Sequence, residues 1–277
     1  MTDTSPRPQR PTLAELRAVA QPPEVRNRKN AEHWSAQLYL RHISIYITVL
    51  LVRTRISANG VTGLMILSGW AIAASLLIPG IWGPVLAVVF SQLQMLIDCC
   101  DGEVARWRNT MGAKGIFLDK VGHYTTESFV AIAIGLRAIG DLNRFGTEPG
   151  IAFKYAFAGA LLAVFVLLNK ALNDMVHVSR AFTKLDKLPD SKEAMAVNSG
   201  MVGTLRNAAK FVPFHRIYHS VELALLSLAA ALFTLFFGGM FDTELVGERG
   251  LVMILVPLSI LATAGHFVAI MASKRLR

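Results

Sequence analysis

Six apolar runs, at about residues 61–78, 82–97, 115–139, 151–175, 217–237 and 251–272, limit what this chain of 277 residues can fold into. Each approaches the ~20 residues that span a ~30 Å hydrocarbon core. Only 17% of the residues are charged, against roughly 25% in an average soluble domain. Gly, Ser and Thr interrupt the runs, as expected where membrane helices pack closely on one another. The pattern predicts an all-α integral membrane protein with six transmembrane helices. Before them, Trp34, Leu38, Ile43, Ile47 and Leu51 alternate with His33, Gln37, Arg41 and His42, a mixture that suits an interfacial amphipathic helix. Residues 1–30, rich in Pro, Arg and polar groups, read as a disordered basic arm. The expected division is therefore 1–30 for the arm and 31–277 for the membrane domain, with 31–56 interfacial and 57–277 a six-helix bundle.

Charge settles the orientation. The net charge is +9, which in a soluble chain would suggest nucleic acid. Here nine Lys/Arg precede residue 56 and seven more fall in 180–216, whereas 79–82 has none and 241–250 holds three acids and one arginine. That alternation is a positive-inside signal rather than a nucleic-acid footprint. Six spans put both termini on one side, and the basic segments make that side cytoplasmic. The two cysteines, adjacent at 99 and 100, give no disulfide framework.

One stretch breaks the apolar pattern: Asp98-Cys99-Cys100-Asp101-Gly102-Glu103-Val104-Ala105-Arg106, continued by Gly115, Asp119 and His123. On a helix, Asp98 and Asp101 share a face, as do Asp119 and His123. Ala105 falls on the Asp98 face and leaves room for a ligand. Gly102 allows close approach of backbone or phosphate. Converging carboxylates repel one another unless cations neutralise them, and oxygen donors select Mg²⁺, Mn²⁺ or Ca²⁺. Two ions about 3.5–4 Å apart would suit phosphoryl transfer, and Arg106 supplies a fixed cation for a phosphate. Glu103 points off this face and is expected to be solvated or paired with a basic neighbour.

With Asp98, Asp101, Gly102, Ala105, Arg106, Gly115 and Asp119 in place, the stretch resembles the signature of the CDP-alcohol phosphotransferases, six-helix membrane enzymes. The segments Ile43-Ser44, Ile47-Thr48 and Ile56-Ser57-Ala58-Asn59-Gly60-Val61-Thr62 look like that family's interfacial helix and the opening of its first span. The resemblance implies transfer of a substituted phosphate group from a CDP-linked donor, by default CDP-diacylglycerol, to an alcohol acceptor with release of CMP, in phospholipid or related biosynthesis, the alternative being a soluble CDP-alcohol donor or a lipid acceptor. It further implies Mg²⁺ or Mn²⁺, a pair of ions held by Asp98, Asp101, Asp119 and His123, and a CDP site lined by Gly102, Ala105, Arg106 and Gly115. It implies a homodimer surrounded by membrane lipids, in a bacterial or archaeal cell membrane, with the active site facing the cytoplasm.

The departure is His123, which stands where the family has a fourth aspartate that serves as metal ligand and base. His123 reads as a functional base or ligand, as a sign of altered chemistry, or as the mark of a non-catalytic CDP- or metal-binding relative. Glu127, one turn on, would orient its imidazole. Further candidates for an acceptor pocket are Lys170, Asn173, Asp174 and His177, and the basic set Arg180, Lys184, Arg206, Lys210, His215 and Arg216.

Overall fold

The computed structural model describes residues 7–26, 33–186 and 217–276. Its principal elements are α1 (Leu13–Ala20), α2 (Arg41–Arg53), α3 (Ala58–Leu76), α4 (Trp82–Arg108), α5 (Ala113–Ile139), α6 (Pro149–Phe182), α7 (Ser220–Phe237) and α8 (Val246–Ala272). Among the described residues there are helices and no strands. Helices satisfy their own backbone groups, which lipid cannot do. Five of them, α3, α4, α6, α7 and α8, are long and apolar enough to cross a membrane. The remaining expected span, α5, has 27 residues, but Lys114, Asp119, Lys120, His123 and Glu127 charge or polarise its first half.

The chain divides into two compact units. One comprises Met1–Gly69 and Val89–His123, the other Trp70–Val88 and Tyr124–Arg277.

The first unit overturns one expectation. Instead of disorder throughout the arm, residues 12–20 form a capped helix. Thr12 N donates to Glu15 Oε2 at 2.8 Å and Glu15 N donates to Thr12 Oγ1 at 3.3 Å, a reciprocal cap for two orphan donors. The two Thr12 contacts hold the Glu15 carboxyl below its ordinary value. Leu16 and Ala20, four apart, are both fully buried, and their cluster includes Ile45, Val52, Ala58, Val61, Cys100, Val104 and Trp107. Composition averaged over thirty residues hides this one short apolar stripe.

A π-helical turn, Ala36–Leu40, leads into α2. This helix buries Ser44, Ile45, Thr48 and Val52 and exposes Ile43, Tyr46 and Leu50. Its Ser44 and Thr48 hydroxyls are turned inward beside Ile45 and Val52, while Ile43 and Leu50 are left on the outside. At the other end of the unit, α4 stops where Asn109 takes φ 52° and Thr110 N reaches back to Ala105 O at 3.0 Å. That left-handed C-cap suits asparagine and turns the chain toward α5. Arg108 then donates to the carbonyls of Leu51, Val52, Thr54 and Ile56, tying the end of α4 to the end of α2.

In the second unit α5 and α6 cross at glycines. A Cβ on Gly135 would lie 2.5 Å from Gly159 Cα and 2.6 Å from Tyr155 O, so no larger residue fits at this close backbone approach. Arg137 donates to the carbonyls of Leu76, Ile78 and Gly80 and pairs with Glu248 at 3.4 Å, satisfying groups left open at the end of α3. Thr263 Oγ1 donates to Phe165 O at 3.1 Å, and His266 Nδ1 meets Asn169 Oδ1 at 2.7 Å, joining α8 to α6.

Candidate active site

The acidic stretch occupies the last three turns of α4 and the first three of α5, and all its residues lie in the first unit. Helical spacing places Asp98 and Asp101 on one side of α4 and Asp119 and His123 on one side of α5. Three of the four converge. His123 Nε2 lies 3.2 Å from Asp98 Oδ1 and 3.4 Å from Asp119 Oδ1. One ligand atom from each of Asp98, Asp119 and His123 falls within 4.8 Å of the others. All three side chains are partly exposed, at 26%, 39% and 23%, so a solute can reach them.

The fourth, Asp101, is held from α3: Thr62 Oγ1 donates to Asp101 Oδ2 at 2.7 Å. Thr62 is itself buried. The hydroxyl orients one carboxylate oxygen and leaves the other for a further partner, as groups behind a metal ligand do. Thr62 is the last residue of the Asn59-Gly60-Val61-Thr62 segment, whose spacing alone did not assign it a partner. Gly115 faces that same segment, since a Cβ on it would approach Asn59 Oδ1 to 3.4 Å.

This donor set fits a hard divalent cation. Carboxylate oxygens with one imidazole nitrogen suit Mg²⁺ or Mn²⁺, and convergence of two acids within a few ångströms is otherwise unfavourable.

Gly102 and Arg106 sit together. A Cβ on Gly102 would meet Arg106 Nη1 at 3.2 Å and Nη2 at 3.5 Å. The guanidinium therefore lies over the bare glycine, and Arg106 Nε donates to Ala20 O at 2.7 Å. Ala105, beside them, is partly exposed.

Glu103 is not solvated. Its carboxylate is fully buried and accepts from Gln21 Nε2 at 2.7 Å, Ser44 Oγ at 2.6 Å and Thr48 Oγ1 at 2.7 Å, with Arg41 at 3.8 Å. A buried carboxylate is tolerated when its lone pairs are filled this way. It locks α4 against α2, and with it the rotation of the helix that carries Asp98 and Asp101. Ser44 and Thr48 belong to segments the sequence singled out, but their partner lies more than fifty residues away.

Glu127 has partners beyond its own helix. It is buried in the second unit and pairs with Lys170 Nζ at 2.6 Å and His219 Nδ1 at 3.3 Å, while His123 faces Asp98 and Asp119. Tyr124 OH donates to Asp174 Oδ2 at 3.0 Å. Arg180, proposed from sequence for an acceptor phosphate, donates to Asp186 O and Arg275 O. Arg206, Lys210, His215 and Arg216 lie outside the described residues.

Residues 55–189 match the family model for CDP-alcohol phosphatidyltransferase. No curated protein matches the chain. The family transfers a phosphate-linked group from a CDP-alcohol and is generally dependent on divalent metal. The matched segment contains every residue of the acidic stretch and leaves out α1, α2, α7 and α8.

Proposed function

We propose, from the match to the CDP-alcohol phosphatidyltransferase family model, that this membrane enzyme moves a substituted phosphate group from CDP-diacylglycerol to a small polar alcohol and releases CMP. The observation that carries the reading is the meeting of Asp98, Asp119 and His123 within 4.8 Å, beside an Asp101 oriented by Thr62. In this reading Asp98, Asp101 and Asp119 hold two Mg²⁺ or Mn²⁺ ions. Bound there, the ions would neutralise the diphosphate and the charge that develops on the departing CMP. Gly102, Ala105 and Gly115 leave room for the CDP moiety, and Arg106 offers its planar fork to a phosphate.

The acceptor oxygen forms a bond to the phosphorus that carries the donor's alcohol. The bond from that phosphorus to the CMP oxygen breaks, and CMP leaves with the electron pair. His123 takes the acceptor's proton. Its Nε2 faces two carboxylates, so an Nε2–H directed at them leaves the Nδ1 lone pair for the hydroxyl. The same proximity supports a second reading, in which the Nε2 lone pair ligates an ion and no base is supplied from this position. The two roles exclude one another in a neutral ring. Metal affinity separates them: His123→Ala leaves Mn²⁺ affinity unchanged if His123 is the base and lowers it if His123 is a ligand.

The outward apolar groups of α2 favour its lying at the interface, and the basic termini favour a cytoplasmic position for both ends of a six-span homodimer. Purified protein with Mg²⁺ or Mn²⁺, labelled CDP-diacylglycerol or water-soluble CDP-alcohols, and a panel of alcohols tests the activity. CMP release that needs both a donor and an acceptor is expected. Nucleotide binding without CMP release from any CDP-linked donor would instead identify a non-catalytic binder, the reading that the replacement at His123 keeps in view.

A further inference from the structure

The N-terminal segment lies outside the family-matched residues, yet it meets α4 at the residues that flank the motif. Arg106 Nε donates to Ala20 O at 2.7 Å. Gln21 Nε2 donates to Glu103 Oε1 at 2.7 Å and to Arg41 O at 2.8 Å. Arg7 Nη1 donates to Arg106 O at 2.5 Å and Trp107 O at 2.9 Å, and its guanidinium lies 5.7 Å from the centre of the Trp107 ring. Trp107 Nε1 donates to Pro8 O at 3.3 Å. Each contact has a local reason. The carbonyl of Ala20 ends α1 and those of Arg106 and Trp107 end α4, so all three need donors from outside their own helix. A cation at the end of α4 also complements the helix dipole. Leu16 and Ala20 anchor the segment through the buried cluster.

The contact to Arg106 is the informative one. Nε is the inner nitrogen of the guanidinium, and bonding it to a fixed carbonyl sets the plane of the fork while the outer nitrogens remain over Gly102. An arginine held in this way loses less freedom when it meets a phosphate. We propose that residues 7–21 form a strap that positions Arg106 for the phosphates of a nucleoside diphosphate. Gln21 and Arg7 are its side-chain anchors. The proposal rests on the reading of Arg106 as part of the CDP site, and it assigns the strap a role in recognition beyond holding the first unit together.

A double-mutant cycle tests it. CDP is titrated calorimetrically, with Mg²⁺ present, into the full-length protein, into Arg7→Ala/Gln21→Ala, into Arg106→Ala and into the triple variant. Loss of the strap anchors should weaken CDP binding about two- to tenfold, the cost of re-ordering one long side chain. In the Arg106→Ala background the same two substitutions should change CDP affinity by less than about twofold, because coupled residues are not additive. Equal losses in both backgrounds, or no loss in either, would overturn the strap's role and leave the CDP site standing. A parent protein that binds no CDP would overturn the site reading and the strap with it. Should Arg7→Ala/Gln21→Ala not fold, Thr12→Ala, which removes only the cap of α1, is read through the same cycle with the same outcomes.

Discussion

At the scale of single residues, the proposed chemistry turns on His123 and Thr62. The His123 imidazole lies against both Asp98 and Asp119. As the base, it should be worth about 10²- to 10⁴-fold in rate, so CMP release by His123→Ala falls by that factor while His123→Asp retains much of the parent rate. Equal rates in parent, His123→Ala and His123→Asp would remove the base assignment. Thr62 acts through Asp101. Losing its hydroxyl in Thr62→Val should lower Mn²⁺ affinity by about 10- to 100-fold, the usual cost of an unsupported ligand, read by electron paramagnetic resonance of free Mn²⁺. The facing of Asp119 and His123 was legible in their spacing of four. The partnership of Thr62 with Asp101 was not, because the two come from different helices and no local pattern links them.

At the scale of elements, the buried Glu103 joins α4 to α2 and to the end of α1. Replacing it by Ala leaves Ser44, Thr48, Gln21 and Arg41 without their common acceptor, and breaking a buried charged network of this kind costs about 3–5 kcal/mol. Glu103→Ala should therefore lose its thermal transition or unfold far below the parent, whereas Thr48→Val, which removes one donor, should cost about 1–3 kcal/mol. A second test lies in the other unit. Gly135→Leu places a side chain where even a Cβ would be 2.5 Å from Gly159 Cα, and it should give aggregated protein in size-exclusion chromatography. Sequence periodicity located the long helices because apolar runs of membrane length leave few alternatives. It misjudged α1, whose buried face is only Leu16 and Ala20 inside a segment dominated by Pro and Arg. It also misjudged Glu103, which lies off the ligand-bearing face but is covered by helices that arrive from elsewhere in the chain.

At the scale of the whole molecule, five helices among the described residues have the length and apolarity to cross a membrane, and α5, whose first half carries Asp119 and His123, is not one of them. Carboxylates next to lipid are costly, so under the proposed function this half of α5 lies at the membrane boundary. The alternation of basic segments predicts both termini in the cytoplasm. Single cysteines at positions 10 and 276, in a chain with Cys99 and Cys100 replaced by Ala, should resist membrane-impermeant maleimide in intact cells and react after lysis. The claim on which the rest depends is that Asp98, Asp101 and Asp119 hold divalent ions for a reaction that releases CMP. The most direct measurement is CMP release from a CDP-linked donor before chelation, after EDTA, and after Mg²⁺ or Mn²⁺ is restored. The account predicts release that stops on chelation, returns with the metal, and is absent from Asp98→Asn and Asp119→Asn under every condition. Release that continues in EDTA, or that survives in both variants, would contradict it.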